Sequence, residues 1–221
     1  MGTALLGYNS SMLEKTSVVV SAVCLTVYWF WVVVKLVRLG RKIGKDPNAM
    51  PRELVGILLR VIWYPCVFVL LVALWVAASE SPEWVRRHFL WRLDGMGTGG
   101  VLGEAAAFLA EVLCTAATFV CWYWMGRSWR IGIDPSEKLE MVRTGPFGWV
   151  RHPIYALRMV INTCAIALVP TVWVIAAAGI DMVLLQIEAR REEAYMERTQ
   201  GEEYTRYRKK VGRFIPRAFV G

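Results

Sequence analysis

The chain has 221 residues, of which 56% are hydrophobic, with a mean hydropathy of +0.40 and a formal net charge of +8. Such hydropathy excludes an ordinary soluble domain, and the apolar residues fall into runs as long as the roughly 20 residues that a bilayer crossing needs. The positive charge does not require nucleic acid: Lys and Arg gather in cytoplasmic loops of membrane proteins, so membrane lipids with anionic headgroups are the nearer partner.

The first apolar run, 16–34, follows a polar lead and ends in basic residues without a small-residue cleavage signature, so it reads as a retained span. Lys35, Arg38, Arg41, Lys42, Lys45 and Arg52 then place the next loop inside. A second run, 54–78, contains Pro65, which is expected to bend that helix. The loop at 79–100 balances Arg86, Arg87 and Arg92 against Glu80, Glu83 and Asp94 and reads as outside. Its Gly95–Gly103 stretch does not follow a strand, so it lacks the context of a dinucleotide or phosphate loop.

The third run, 101–125, leads to a loop whose Arg127, Arg130, Lys138, Arg143 and Arg151 return the chain to the inside. The fourth apolar run, 154–187, is too long for one crossing and is interrupted by Val169-Pro170-Thr171, the tip of a helical hairpin. The expected fold is therefore all-α: a polytopic membrane bundle of five transmembrane helices, the last two a hairpin. Residues 1–130 form the first three spans and residues 131–221 a catalytic region, with the N-terminus outside and the C-terminus cytoplasmic. Tyr28, Trp29, Trp31, Trp63, Tyr64, Trp122, Tyr123, Trp124 and Trp129 read mostly as interface anchors and packing. Cys24, Cys66, Cys114, Cys121 and Cys164 lie in apolar runs and read as small buried hydrophobes, without the spacing of a disulfide framework or zinc site.

Chemistry concentrates where polar loop meets apolar run. Thr144-Gly145-Pro146-Phe147-Gly148 is a turn by composition, and Pro153 suits the first position of a helix with His152 near its cap. Free amides at a helix start favour an anionic group. Counting outward from Pro170 puts Arg158 level with Asp181, and His152 level with Glu188, on neighbouring arms. An arginine inside a span needs a partner, so Arg158 and Asp181 are expected to pair, with Asn162 completing a polar patch. Beyond the span the helix continues through Glu188, Glu192, Glu193 and Glu197, whose spacing places them along shared faces.

Three segments occur in order: Gly145-Pro146-Phe147 with Arg151-His152-Pro153-Ile154-Tyr155; Arg190 with Glu192-Glu193; and Gly201-Glu202-Glu203-Tyr204 with Tyr207, ending in Arg213-Phe214-Ile215-Pro216. Together they resemble the isoprenylcysteine carboxyl methyltransferase family, its bacterial relatives and the phospholipid N-methyltransferases. The resemblance implies a membrane enzyme, in a bacterial inner membrane, that uses S-adenosylmethionine on the cytosolic side. It assigns Gly145, His152, Pro153, Tyr155, Glu192, Glu193, Tyr204 and Tyr207 to the cofactor and brings Arg151 near the reacting groups. A lipophilic or lipidated acceptor would enter between helices. Arg158, Asp181 and Glu188 are the other candidate catalytic groups. Leu157 stands where the family commonly has glycine, and Arg158 where it usually has an apolar or aromatic residue, which suggests an acceptor with a polar or negative group. A sterol-reductase type of enzyme using NADPH shares this architecture, and a non-enzymatic scaffold or small transporter is the remaining alternative.

Overall fold

The computed structural model describes residues 2–44, 46, 48–51, 53–85, 100–129 and 141–217, and for 2–14, 43 and 127 the backbone only. The charges expected at Lys45, Arg52, Arg86, Arg87, Arg92, Asp94, Arg130 and Lys138, and most of the glycine-rich stretch, lie outside the described residues or, for Arg127, outside the described side chains. The described elements are all helical. They are α1 (Gly2–Ile43), α2 (Leu54–Ala78), α3 (Val101–Met125), α4 (Pro153–Leu168), α5 (Val172–Gln200) and α6 (Glu202–Lys210), with short 3-10 turns at Gly126–Ser128 and Gly145–Gly148.

Four of these helices are long and apolar enough to cross a membrane: the Lys15–Lys42 part of α1, α2, α3 and α5. α4 has 16 residues, about 24 Å at 1.5 Å per residue, against a hydrocarbon core of about 30 Å. It is an apolar helix shorter than a standard span. The hairpin expected at Val169–Thr171 is present, and the Thr171 hydroxyl accepts from the Val174 amide at 3.3 Å, capping α5.

The sequence pattern explains how the bundle closes. Val18, Ala22, Leu25, Trp29 and Val32 recur at three and four residues on α1 and are buried, while Val23, Val27, Phe30, Val33 and Val37 on its other side are exposed. α2 repeats the division, with Trp63, Cys66, Val67, Leu70 and Leu74 inside and Leu58, Val61, Ile62 and Phe68 outside. Apolar residues on the outer faces as well as the inner ones are what a lipid solvent selects. α3 packs on α1 and α4, α2 on α1 and α5, and α4 on α5. All five cysteines are free, three of them buried and two half-buried.

Because α5 has 29 residues, it runs well past the hairpin partner. Its last turns stand beside the start of α4, and α6 folds back from Gly201 (φ 58°). The tail then pairs with the junction: the Arg151 amide donates to the Gly212 carbonyl at 2.8 Å and the His152 amide to the Arg213 carbonyl at 3.0 Å. A Cβ on Gly212 would lie 1.8 Å from the Ile215 carbonyl oxygen, so this strap admits only glycine there.

Candidate active site

One end of the bundle encloses a cavity of about 250 Å³. Its walls come from α1 (Tyr28, Trp29), α2 (Arg60, Trp63), the end of α3 (Trp122), the 151–155 junction with Arg158 on α4, α5 (Glu188, Glu192) and α6 (Tyr204, Tyr207). Of the aromatics read as interface anchors or packing, several belong to the packing. Tyr28, Trp29, Trp63, Trp122 and Trp129 are buried around this cavity, while Tyr123 and Trp124 remain exposed.

The junction is held from both sides. The 3-10 turn ends in Gly148, and Gly145 has φ 59° with the Trp124 ring 2.5 Å from where a Cβ would sit. Glycine is therefore needed at 145 for shape; it does not line the cavity. The Tyr207 hydroxyl donates to the Phe147 carbonyl at 2.5 Å, and burial pushes its pKa up to about 12, so the phenol stays a donor. Tyr204 is buried beside it, ring centroids 6.0 Å apart.

Glu192 and Glu193 are neighbours in sequence but differ in setting, because successive helical residues point about 100° apart. Glu193 is buried and receives Arg151 Nε at 3.0 Å and Nη2 at 2.9 Å, and Arg213 Nε at 2.9 Å and Nη2 at 2.5 Å. Arg151 also donates to the Arg208 carbonyl at 3.2 Å and to that of Val211. Expected at the cofactor, Glu193 instead ties the junction to the strap and is absent from the cavity lining. Glu192 does line the cavity, accepting from the Tyr155 hydroxyl at 2.5 Å.

His152 lies between the two acids, Nδ1 3.4 Å from Glu192 and Nε2 3.4 Å from Glu193, and its ring stacks on Tyr155 with an interplanar angle of 9°. Its Nε2 is buried without a hydrogen-bond partner. Burial pushes its pKa down, but attraction to the two carboxylates outweighs that and raises it above the ordinary value. Counting had put His152 level with Glu188, whereas its contacts fall one turn further along α5. His152 is the cap residue before α4 and its backbone is not helical (φ −123°, ψ 64°), so the uniform rise that the count assumes ends at Pro153.

Deeper, the expected Arg158–Asp181 pair is present: Nε to Oδ2 2.8 Å and Nη2 to Oδ1 3.1 Å. Asn162 donates to Oδ2 at 2.6 Å, as anticipated, and Trp63 Nε1 to Oδ1 at 2.7 Å. Asp181 is wholly buried, filled with donors and off the cavity wall, while Arg158 lines it, its guanidinium 4.3 Å from the Trp29 ring centroid. Glu188 lines the cavity and is bound by Arg191, which also pairs with Glu53.

Sequence reasoning missed Arg60. It is buried on α2 at the cavity wall, 3.8 Å from Glu188 and 4.8 Å from the Trp63 ring centroid. The available signal was an ionisable residue within an apolar run. Among the described residues no group of three His, Cys, Asp or Glu could hold a metal ion.

The fold and the cavity define an integral membrane protein with a polar site built into one end of its helix bundle. Residues 106–198, from within α3 almost to the end of α5, match the model of the isoprenylcysteine carboxyl methyltransferase (ICMT) family. That is the family which the ordered motifs resemble. No match is found among the curated proteins.

Proposed function

We propose that this chain is an S-adenosylmethionine-dependent methyltransferase acting on a lipophilic, membrane-borne acceptor such as an isoprenylcysteine carboxylate or a lipid amine or thiol. The observation that carries the reading is the convergence of His152, Tyr155 and Glu192 on one cavity, inside the segment that matches the family.

The residues fit the cofactor. Glu188 and Glu192 offer negative charge to a cationic molecule, and Trp122, Trp129 and Phe147 line the cavity with aromatic surface for a nucleoside. When bound, S-adenosylmethionine supplies an electrophilic methyl for a single displacement. The chain's part is chiefly to position the reactants. Tyr155 fixes Glu192 and stacks on His152; Glu193 fixes Arg151 and Arg213, and through them the strap that closes the site. Arg158 lends charge to the inner wall while Asp181 positions it.

A carboxylate acceptor needs no base. An amine or thiol does, and Asp181 is off the wall with its oxygens filled, which leaves Glu188 as the better placed acid. His152 is held toward its protonated form and serves better as a donor.

Tryptophan fluorescence of the purified chain, titrated with S-adenosylhomocysteine and with NADPH, tests the cofactor. Saturable quenching by S-adenosylhomocysteine, lost in Glu192→Gln, is expected. Saturation by NADPH alone would move the assignment to the reductase class.

A further inference from the structure

Three arginines near the cavity hold carboxylates with the same edge, Arg158 and Arg213 through both oxygens of the acid and Arg151 through one. Arg151, Arg158 and Arg213 each turn the Nε and Nη2 edge of the guanidinium toward an acid, Glu193, Asp181 and Glu193 respectively. That edge carries two N–H donors in a plane, spaced to meet two oxygens of an acid. At Arg60 the same two atoms, Nε and Nη2, are buried without a hydrogen-bond partner. Glu188 stands 3.8 Å from Nη2, beyond hydrogen-bond reach, and is bound by Arg191.

A third donor completes the pattern. Trp29 Nε1 is also buried and unpartnered, and Trp29 and Arg60 both pack on Trp63, with centroid distances of 5.1 and 4.8 Å. Trp29, Arg60 and Trp63 all line the cavity. Buried within this wall are donors without acceptors, and each donor left unfilled costs free energy that an acceptor-rich ligand returns on reaching it. It belongs to α1 and α2, whereas the family match begins at residue 106.

We infer that Arg60, with Trp29, forms an anion-binding fork on the α1–α2 wall that takes an acidic group of the lipophilic acceptor. This rests on the methyltransferase reading for the word acceptor, but the fork itself is a binding site with its own readout. The surrounding indoles give the apolar chain a wall, so the ligand class is an amphiphile ending in a carboxylate or phosphate.

The probes are 11-bromoundecanoate, its methyl ester and the corresponding bromoalkyl phosphate, titrated into the full chain in detergent while quenching of the cavity tryptophans is followed. The acid and the phosphate are expected to half-saturate at concentrations at least tenfold lower than the ester, and which of the two binds more tightly names the headgroup. Arg60→Gln should abolish the preference, Arg60→Lys should restore part of it, and S-adenosylhomocysteine binding should be unchanged in both. Trp29→Phe, which keeps the packing and deletes one donor, should narrow the preference and covers the case in which Arg60→Gln does not fold. Equal binding of acid and ester, as for a wall satisfied by water, overturns the inference. So does a preference that survives Arg60→Gln, or an Arg60→Gln variant that loses S-adenosylhomocysteine, which would give the arginine to the cofactor. A chain that binds the acid but not S-adenosylhomocysteine keeps the fork and removes methyl transfer; the converse keeps methyl transfer and removes the fork.

Discussion

His152 is drawn toward its protonated form by its place between Glu192 and Glu193, with burial working against the charge. Its folded pKa is above the ordinary 6.5, so its contribution to stability is complete below that pH and fades as pH rises through the folded value. The chain has two histidines, which makes the check simple. An NMR titration should show the His152 midpoint above 6.5, and Glu192→Gln should lower it. Adjacent Glu193 is expected to behave differently. Its side chain is buried under Arg151 and Arg213, and leaving a buried arginine unpaired costs about 3–5 kcal/mol. Glu193→Gln should therefore depress thermal stability sharply. Glu192→Gln should cost little stability and weaken S-adenosylhomocysteine binding. The repeated acids were visible in the sequence, but a pair of adjacent residues does not say which one faces the cavity; the register of α5 against Arg213, 20 residues away, decides it.

At the scale of the helical hairpin, α4 and α5 are joined by an ion pair that the distance from Pro170 made legible. A helix rises uniformly, so residues equally far from a tight turn meet, and Arg158 and Asp181 do. What counting did not reveal is how many other groups converge on them: Asn162, Trp63, and the rings of Tyr28 and Trp29. Asp181→Leu alone should destabilise by about 3–5 kcal/mol by stranding Arg158. Adding Arg158→Met should recover much of that loss, a coupling readable in a double-mutant cycle of unfolding free energies. Additive losses would mean that the pair is not the joint between these helices.

The whole molecule is a bundle with apolar outer faces and a polar cavity at one end. Its helical class, its apolar runs and its terminal hairpin were legible because each follows from hydropathy and a breaker. The inner wall was not, because nothing in the order of residues says that Arg60 on α2 meets Glu188 on α5; only the packing of those two helices brings them within reach. The orientation expected from the loop charges is open to labelling. With the native cysteines replaced, Lys209→Cys should react with a membrane-impermeant thiol reagent only from the cytoplasmic side and Glu80→Cys only from the other, and the reverse would invert the bundle. The central claim, methyl transfer to a lipophilic acceptor, is met most directly by incubating the purified chain with methyl-labelled S-adenosylmethionine and a membrane lipid extract. Label should pass into the organic phase with the wild type and stay behind with Glu192→Gln. Donor that binds yet keeps all of its label, whatever lipid is offered, would contradict the account.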